Sequence, residues 1–206
     1  LWLFGKDFNY SGDKQQWNYG GRSQRRNALA YPSLRGANQL LNASAALAAL
    51  ESLRNRLPLG AQEVRTGLVL LDLPGRFQVL PGRPTVILDV GHNPHAAATL
   101  AQNLDNMGFH PYTYAVFGML ADKDIAAVVK HMAPRIDHWF CAGLPGVRAL
   151  SAEQLAAQVK EGIAGNQKPG EAEVAVSTFP SVAEALAAAH KLSKPDDRII
   201  VFGSFL

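Results

Sequence analysis

Cysteine is nearly absent. The single Cys141 excludes an internal disulfide framework. With tryptophan and phenylalanine beside it in a strand-like run, it reads as an inert core thiol rather than a nucleophile. No stretch approaches the roughly 18 uninterrupted apolar residues that span a bilayer, and no charged segment followed by a short apolar run opens the chain as a signal peptide would. No membrane partner is expected, and a reducing cytoplasm fits the cysteine usage. The G-x-G-x-x-G fingerprint of dinucleotide enzymes is missing, which argues against an NAD-dependent oxidoreductase. Strong charge of one sign is also missing, the net charge being +3. Arg22, Arg25 and Arg26 form the densest basic cluster, but nothing around them resembles a nucleic-acid module. They read as a solvated face or a contact for a polyanionic small ligand, and no nucleic-acid partner is expected.

What is present is an ordinary globular composition, 206 residues with 48% hydrophobic content, enough for a packed core. Charge divides the chain: residues 1–83 carry 11 Lys/Arg against 5 Asp/Glu, and residues 84–206 carry 9 against 12. Two domains are expected, 1–82 and 83–206. The first residues, Leu1-Trp2-Leu3-Phe4, lie inside an apolar segment, and Phe205-Leu206 follow a strand-like run directly, so the chain is expected to be a piece of a longer polypeptide.

From Pro84 onward, short β-rich runs alternate with amphipathic helical ones, the pattern of a parallel sheet with crossover helices. Strands are expected at Thr85–Val90, Tyr112–Phe117, His138–Ala142, Glu173–Phe179 and Arg198–Phe202. Between them, one helix starts with Asn93 as N-cap and Pro94 at its first position and ends near Gly108. A second runs from about Asp124 to Met132, and two more open with the capping boxes Ser151–Gln154 and Ser181–Glu184. The fold class expected is α/β, a Rossmann-like domain with a mostly parallel sheet. In residues 1–83, the turn-rich aromatic stretch Phe8–Tyr19 suggests short antiparallel strands. Helices follow at about Ala37–Asn55 and Ala61–Leu71, the latter with a stripe of Val64, Leu68 and Leu71. Arg76–Leu80 reads as a strand ending at a Pro81-Gly82-Arg83-Pro84 hinge.

Open parallel sheets bind ligands at the carboxyl ends of their strands. Three segments carry candidate chemistry there or nearby. In Val86-Ile-Leu-Asp-Val-Gly-His-Asn-Pro-His95, Asp89 ends a strand, where a carboxylate can accept hydrogen bonds from vicinal hydroxyls. His92 beside helix amides suits an anionic oxygen. The alternative is that Asp89 and Asn93 only cap the helix. A metal site of Asp89, His92 and His95 is disfavoured, because no further His or Cys has ligand-like spacing. In Leu34–Ala46, Asn38 and Asn42 share one helical face. Asn38 suits a cap, whereas Asn42 inside the helix costs helix propensity and is the better ligand candidate, its amide matching an adenine edge. In Leu73-Pro-Gly-Arg-Phe77, a turn presents Arg76, either as a guanidinium for phosphate oxygens or as an ordinary surface arginine.

Taken together and in this order, G-x-N-x-x-N-A in 36–43, L-P-G-R-F in 73–77, L-D-V-G-H-N-P-H in 88–95, F-G-M-L-A-D-K-D in 117–124 and F-G-S in 202–204 resemble the Mur ligase superfamily. The closer likeness is to its folate branch, the dihydrofolate synthase/folylpolyglutamate synthases, over essentially the whole chain. The resemblance implies that residues 1–82 are the end of an α/β central, ATP-binding domain and that 83–206 are the Rossmann-like C-terminal domain. It implies an ATP-dependent ligase, with Mg²⁺, that adds L-glutamate to dihydropteroate or to folates through an acyl phosphate. By the same likeness Asn42 contacts adenine, Arg76 the phosphates and Asp89 the ribose, His92 lies near the transferred phosphate, and Lys123 and its neighbouring aspartates, with Ser204, line the cleft near glutamate.

One departure limits this. The family's phosphate-binding loop, G-x-x-x-x-G-K-[ST], occurs nowhere in the 206 residues, and the Mg²⁺ ligands and carbamylated lysine of the family are likewise expected elsewhere. The chain is thus expected to hold the adenosine-facing part of a site, inactive alone, within an enzyme that is a monomer when complete. Two alternatives stay open: a Mur-type ligase of cell-wall synthesis, and a non-catalytic nucleotide-binding module.

Overall fold

The computed structural model describes residues 1–34, 36, 38–165 and 174–204. By its contacts the chain divides into two compact units, Leu1–Leu73 and Pro74–Leu206.

The first unit holds a three-stranded antiparallel sheet, β1 (Asn9–Gly12), β2 (Trp17–Gly20) and β3 (Arg25–Leu29), and two helices, α1 (Gln39–Ser52) and α2 (Ala61–Leu70). Period-two alternation along β2 sends Trp17 and Tyr19 to one face. There they are buried with Phe8, Leu29, Leu47, Ala48, Val64 and Leu68. The expected α2 stripe therefore holds at Val64 and Leu68, whereas Leu71 follows the helix and is exposed. Strand β3 was not expected. The arginines it contains are partly occupied: Arg26 donates to the carbonyls of Leu59 and Gly60. Neighbouring Arg22 pairs with Asp7 at 3.0 Å and lies over the Trp2 ring. Arg26 is half-buried, while Arg22 and Arg25 stay exposed as a solvated face. Glu51 is buried on α1 and its carboxylate accepts from the Tyr19 hydroxyl (2.8 Å), the Ser23 amide (2.6 Å) and hydroxyl (2.8 Å), and the Gln24 amide (3.1 Å). It pins the β2–β3 turn to the helix.

The second unit is a six-stranded sheet in the order β4-β5-β9-β6-β7-β8. Its strands are β4 (Gln78–Leu80), β5 (Thr85–Asp89), β6 (Thr113–Gly118), β7 (His138–Ala142), β8 (Ala175–Phe179) and β9 (Arg198–Gly203). All neighbouring pairs are parallel except β4 with β5. The helices are α3 (Pro94–Asp105), α4 (Ile125–Met132), α5 (Ala152–Ala164) and α6 (Val182–Leu192). The steps β5 to β6, β6 to β7 and β7 to β8 all move the same way across the sheet, so right-handed crossovers put α3, α4 and α5 on one face. The step from β8 back to β9 reverses, and α6 lies on the other. The two apolar layers match: Leu100, Val128 and Leu155 share a core with Ile87 and Ile200, while Ala185 and Ala189 pack with Val86, Val116 and Ile199.

Local chemistry sets the helix starts. Asn93, Asp124 and Ser151 each accept an amide of the first turn, and Ser151 with Gln154 forms the full reciprocal box. At α6 only half of the expected box is made. Ser181 accepts the Glu184 amide, but the Glu184 carboxylate takes the Ser181 hydroxyl instead of its backbone amide. The expected strand start at Glu173 lies outside the described residues.

The division expected at 82/83 falls inside the second unit. Pro81–Pro84 is the turn of the β4–β5 hairpin, with Gln78 opposite Leu88 and Leu80 opposite Val86, and not a hinge between domains. Pro and Gly punctuate a hairpin turn and a linker alike; only the pairing tells them apart.

Candidate functional site

The antiparallel hairpin explains why two of the sequence motifs meet. Because β4 begins where β5 ends, the turn at 73–77 lies beside the carboxyl end of β5. Asp89 sits at that end. Its Oδ2 accepts the Phe77 amide at 2.9 Å and its Oδ1 accepts the Gly91 amide at 2.7 Å. In return the Val90 amide donates to the Gly75 carbonyl at 2.8 Å. Burial pushes the Asp89 carboxyl above the usual carboxylate range, and the two amides and the nearby Arg76 charge offset only part of that cost. Asp89 is therefore not the cap of α3; Asn93 is, through Ala96 at 2.9 Å. A side chain at Gly91 would place its Cβ 2.7 Å from Asp89 Oδ1, so glycine is required there for the carboxylate to stay.

The turn itself is unusual. Gly75 has φ of 69° and Phe77, a bulky residue, has φ of 47°, a left-handed conformation that costs about 1–3 kcal/mol. Two interactions hold it: burial of the phenyl ring, 5% exposed, and the amide bond to Asp89. Arg76 stands between these residues with its side chain exposed.

His92 is half-buried and its Nδ1 lies 2.8 Å from the Val90 carbonyl. A carbonyl can only accept, so Nδ1 carries the proton and the ring's orientation is fixed. The start of α3 offers an anion fewer amides than the sequence suggested. Pro94 has no N–H, and Asn93 takes those of Ala96 and Ala97.

The remaining loops at this end are joined. Phe117-Gly118 and Phe202-Gly203 end neighbouring strands in register. Gly203 has φ of 128°, and a Cβ there would fall 2.0 Å from the Gly118 carbonyl oxygen. Beyond it the Ser204 amide donates to that oxygen at 2.9 Å, and the Ser204 hydroxyl accepts the Leu120 amide at 3.1 Å. Ser204 thus anchors the β6–α4 loop. Lys123 in that loop pairs with Asp122 at 3.2 Å. A cleft of about 260 Å³ opens over the carboxyl ends of β5, β9 and β6, with Leu88, Val116, Leu144 and Val182 in its wall and Asp89 and Ser204 as its polar side chains.

Arg76, Asp89 and His92 therefore gather at the end of β5, and Lys123 and Ser204 belong to the loops after β6 and β9. Asn42 belongs to the first unit, exposed on α1; Asn38 occupies the N-cap position without a capping side-chain bond. Sequence reasoning missed the bond from Asp89 to the 73–77 turn and the anchoring role of Ser204. The repeated Phe-Gly strand ends were the available signal for the second. Among the described residues no group of three or more His, Cys, Asp or Glu could hold a metal ion.

Residues 75–205 match the family "Mur ligase, glutamate ligase domain". The chain belongs to the Mur ligase family. Over 201 residues this Mur ligase chain is 36% identical to the dihydrofolate synthase/folylpolyglutamate synthase of Escherichia coli K12, covering 98% of the chain and 43% of the relative. The corresponding enzyme of Mycobacterium tuberculosis is 33% identical over 129 residues, 61% of the chain and 26% of that protein. Among solved structures, E. coli FolC in complex with ADP superposes with a TM-score of 0.81 at 35% identity, covering 98% of the chain and 44% of FolC. A bifunctional folylpolyglutamate synthase/dihydrofolate synthase with Mn, AMPPNP and L-glutamate bound gives 0.79 at 35% identity, covering 98% of the chain and 44% of that enzyme. The Mur ligase chain spans less than half the length of these relatives.

Proposed function

We propose that this Mur ligase chain is part of an ATP-dependent ligase that joins L-glutamate through an amide bond to dihydropteroate or a folate. The observation that carries the reading is the cluster of Asp89, Arg76 and His92 at the carboxyl end of β5, in a chain whose relatives bear that enzyme's name. Structures of similar proteins hold ADP, AMPPNP, L-glutamate and DHPP.

A carboxylate is a poor electrophile, so the acid's carboxylate first attacks the γ-phosphate of ATP, forming an acyl phosphate and releasing ADP. The amine of glutamate then displaces phosphate and forms the amide. Each oxygen of Asp89 accepts one backbone amide and keeps a lone pair for a ribose hydroxyl. Arg76 offers an exposed guanidinium to the phosphates, His92 meets the transferred phosphate, and Asn42 takes the adenine edge. Lys123 faces glutamate with its charge shared with Asp122; Ser204 supports the loop beside it. Mg²⁺ accompanies ATP with ligands outside these residues, as does the phosphate-binding loop. The complete enzyme acts as a cytoplasmic monomer on small molecules.

In the full-length ligase, losing the ribose hydrogen bonds to a charged partner costs about 1.5–3 kcal/mol, roughly a ten- to hundredfold change in nucleotide affinity. Asp89→Ala is therefore expected to raise the KM for ATP, and His92→Ala to lower kcat, since its contact matters as charge redistributes. Steady-state kinetics with ATP varied at saturating acid and glutamate decide it. A folded Asp89→Ala enzyme with unaltered ATP KM would remove Asp89 from the nucleotide site.

A further inference from the structure

We infer that Asp89 is also the positioning residue for Arg76: its carboxylate latches the 73–77 turn, so that one side chain couples ribose recognition to phosphate recognition. The inference rests on the phosphate role proposed above for Arg76. Arg76 is exposed, and its placement comes from its neighbours. On one side, Gly75 is held at φ of 69° by its carbonyl's bond from Val90 and its amide's bond to Gln78 Oε1 at 3.1 Å. On the other, Phe77 is held at φ of 47° with its amide on Asp89 Oδ2.

A left-handed phenylalanine is sustained only where its surroundings over-determine it. Without the Asp89 oxygen the Phe77 amide, part-buried beside the carboxyl end of β5, would have lost its acceptor. Turning back to an ordinary φ would then swing the Cα of Arg76 away. Asp89→Asn is the informative change: the amide keeps the size, but one of its two terminal atoms becomes a donor and cannot serve both the Phe77 and the Gly91 N–H groups.

Two measurements test this. In the unmodified chain, NMR titration with acid should move the Phe77 and Gly91 amide protons together with the Asp89 carboxyl carbon, on one curve. A Phe77 amide that stays still while the carboxyl titrates overturns the latch. In the full-length ligase, KM is measured for ATP and for 2′,3′-dideoxy-ATP, which has no ribose hydroxyls to offer. Asp89→Asn should still raise KM for the dideoxy nucleotide at least fivefold in the parent background, and less than twofold when Arg76 is already alanine. Equal KM values for parent and Asp89→Asn with the dideoxy nucleotide would mean that Asp89 acts through ribose alone, and the inference fails. An Arg76→Ala enzyme with parental KM for ATP would instead sink the phosphate assignment beneath it, an outcome distinguishable because the amide titration does not involve nucleotide.

Discussion

Replacing Gly203 by alanine should damage the candidate site and the fold together. The residue has φ of 128°, and its new methyl would lie 2.0 Å from the Gly118 carbonyl oxygen and 3.0 Å from the carbonyl carbon. Both are backbone atoms of the paired strand, so no side chain can swing aside. Relief requires the end of β9 to move, which breaks the 2.9 Å bond from the Ser204 amide to Gly118 and the 3.1 Å bond from Leu120 to the Ser204 hydroxyl. The left-handed conformation costs about 1–2 kcal/mol for a non-glycine residue, and each lost hydrogen bond about 0.5–1.5 kcal/mol. The sum is a loss of roughly 2–5 kcal/mol, large against the 5–15 kcal/mol typical of a domain. Gly118→Ala is the control. Its Cβ would meet Leu144 Cδ2 at 2.8 Å, the far end of a flexible side chain, and should cost distinctly less. Urea unfolding followed by labelling of Cys141, which lies in the core of the second unit, reads that unit separately from the first. A Gly203→Ala protein within 0.5 kcal/mol of its parent, or less affected than Gly118→Ala, would refute this reasoning.

Cys141 is fully buried and burial pushes its thiol up to about 12. It should resist aromatic disulfide reagents at pH 8 in the native chain and react only as the second unit unfolds; rapid native labelling would contradict its core placement. For Glu51, burial raises the carboxyl's pKa, but its bonds from Ser23, Tyr19 and Gln24 more than offset this and hold it below the usual glutamate value. A depressed carboxylate stabilises the fold above its unfolded pKa, about 4.3, and that stability is lost as pH falls through the folded value. Glu51→Gln should weaken the first unit by about 1–3 kcal/mol and flatten its acid-unfolding profile below about pH 4.3; a variant with the parental acid profile would assign that transition to another group.

The sheet of residues 84–206 was legible because β6 and β9 are continuous apolar runs, Pro94 and the serine caps mark helix starts, and the alternation of strands and helices admits few topologies. Strand β3 was not, because Arg25-Arg-Asn-Ala-Leu29 has no apolar alternation and is held by backbone pairing to β2 and by the Asn18 side chain on the Ala28 amide. The candidate residues were legible one by one; their joining was not. Asp89, Arg76 and His92 each stood out through local chemistry, yet the bond joining Asp89 to the 73–77 turn depends on the antiparallel register of β4 on β5, which local sequence does not encode. Ser204 illustrates the reverse: the family likeness alone made it a residue of the glutamate cleft, and only the neighbouring loop shows that its hydroxyl already accepts the Leu120 amide.

The most direct test is ADP release in the presence of MgATP, dihydropteroate and L-glutamate, measured on the 206-residue chain and on the same chain joined to the phosphate-binding portion of the E. coli relative. If residues 1–206 supply the nucleotide-facing part of a glutamate ligase, the chain alone releases no ADP. The joined enzyme releases it only when acid and glutamate are both present, and Arg76→Ala removes most of that activity. Turnover by the chain alone, dependent on both substrates, would contradict this division of the active site.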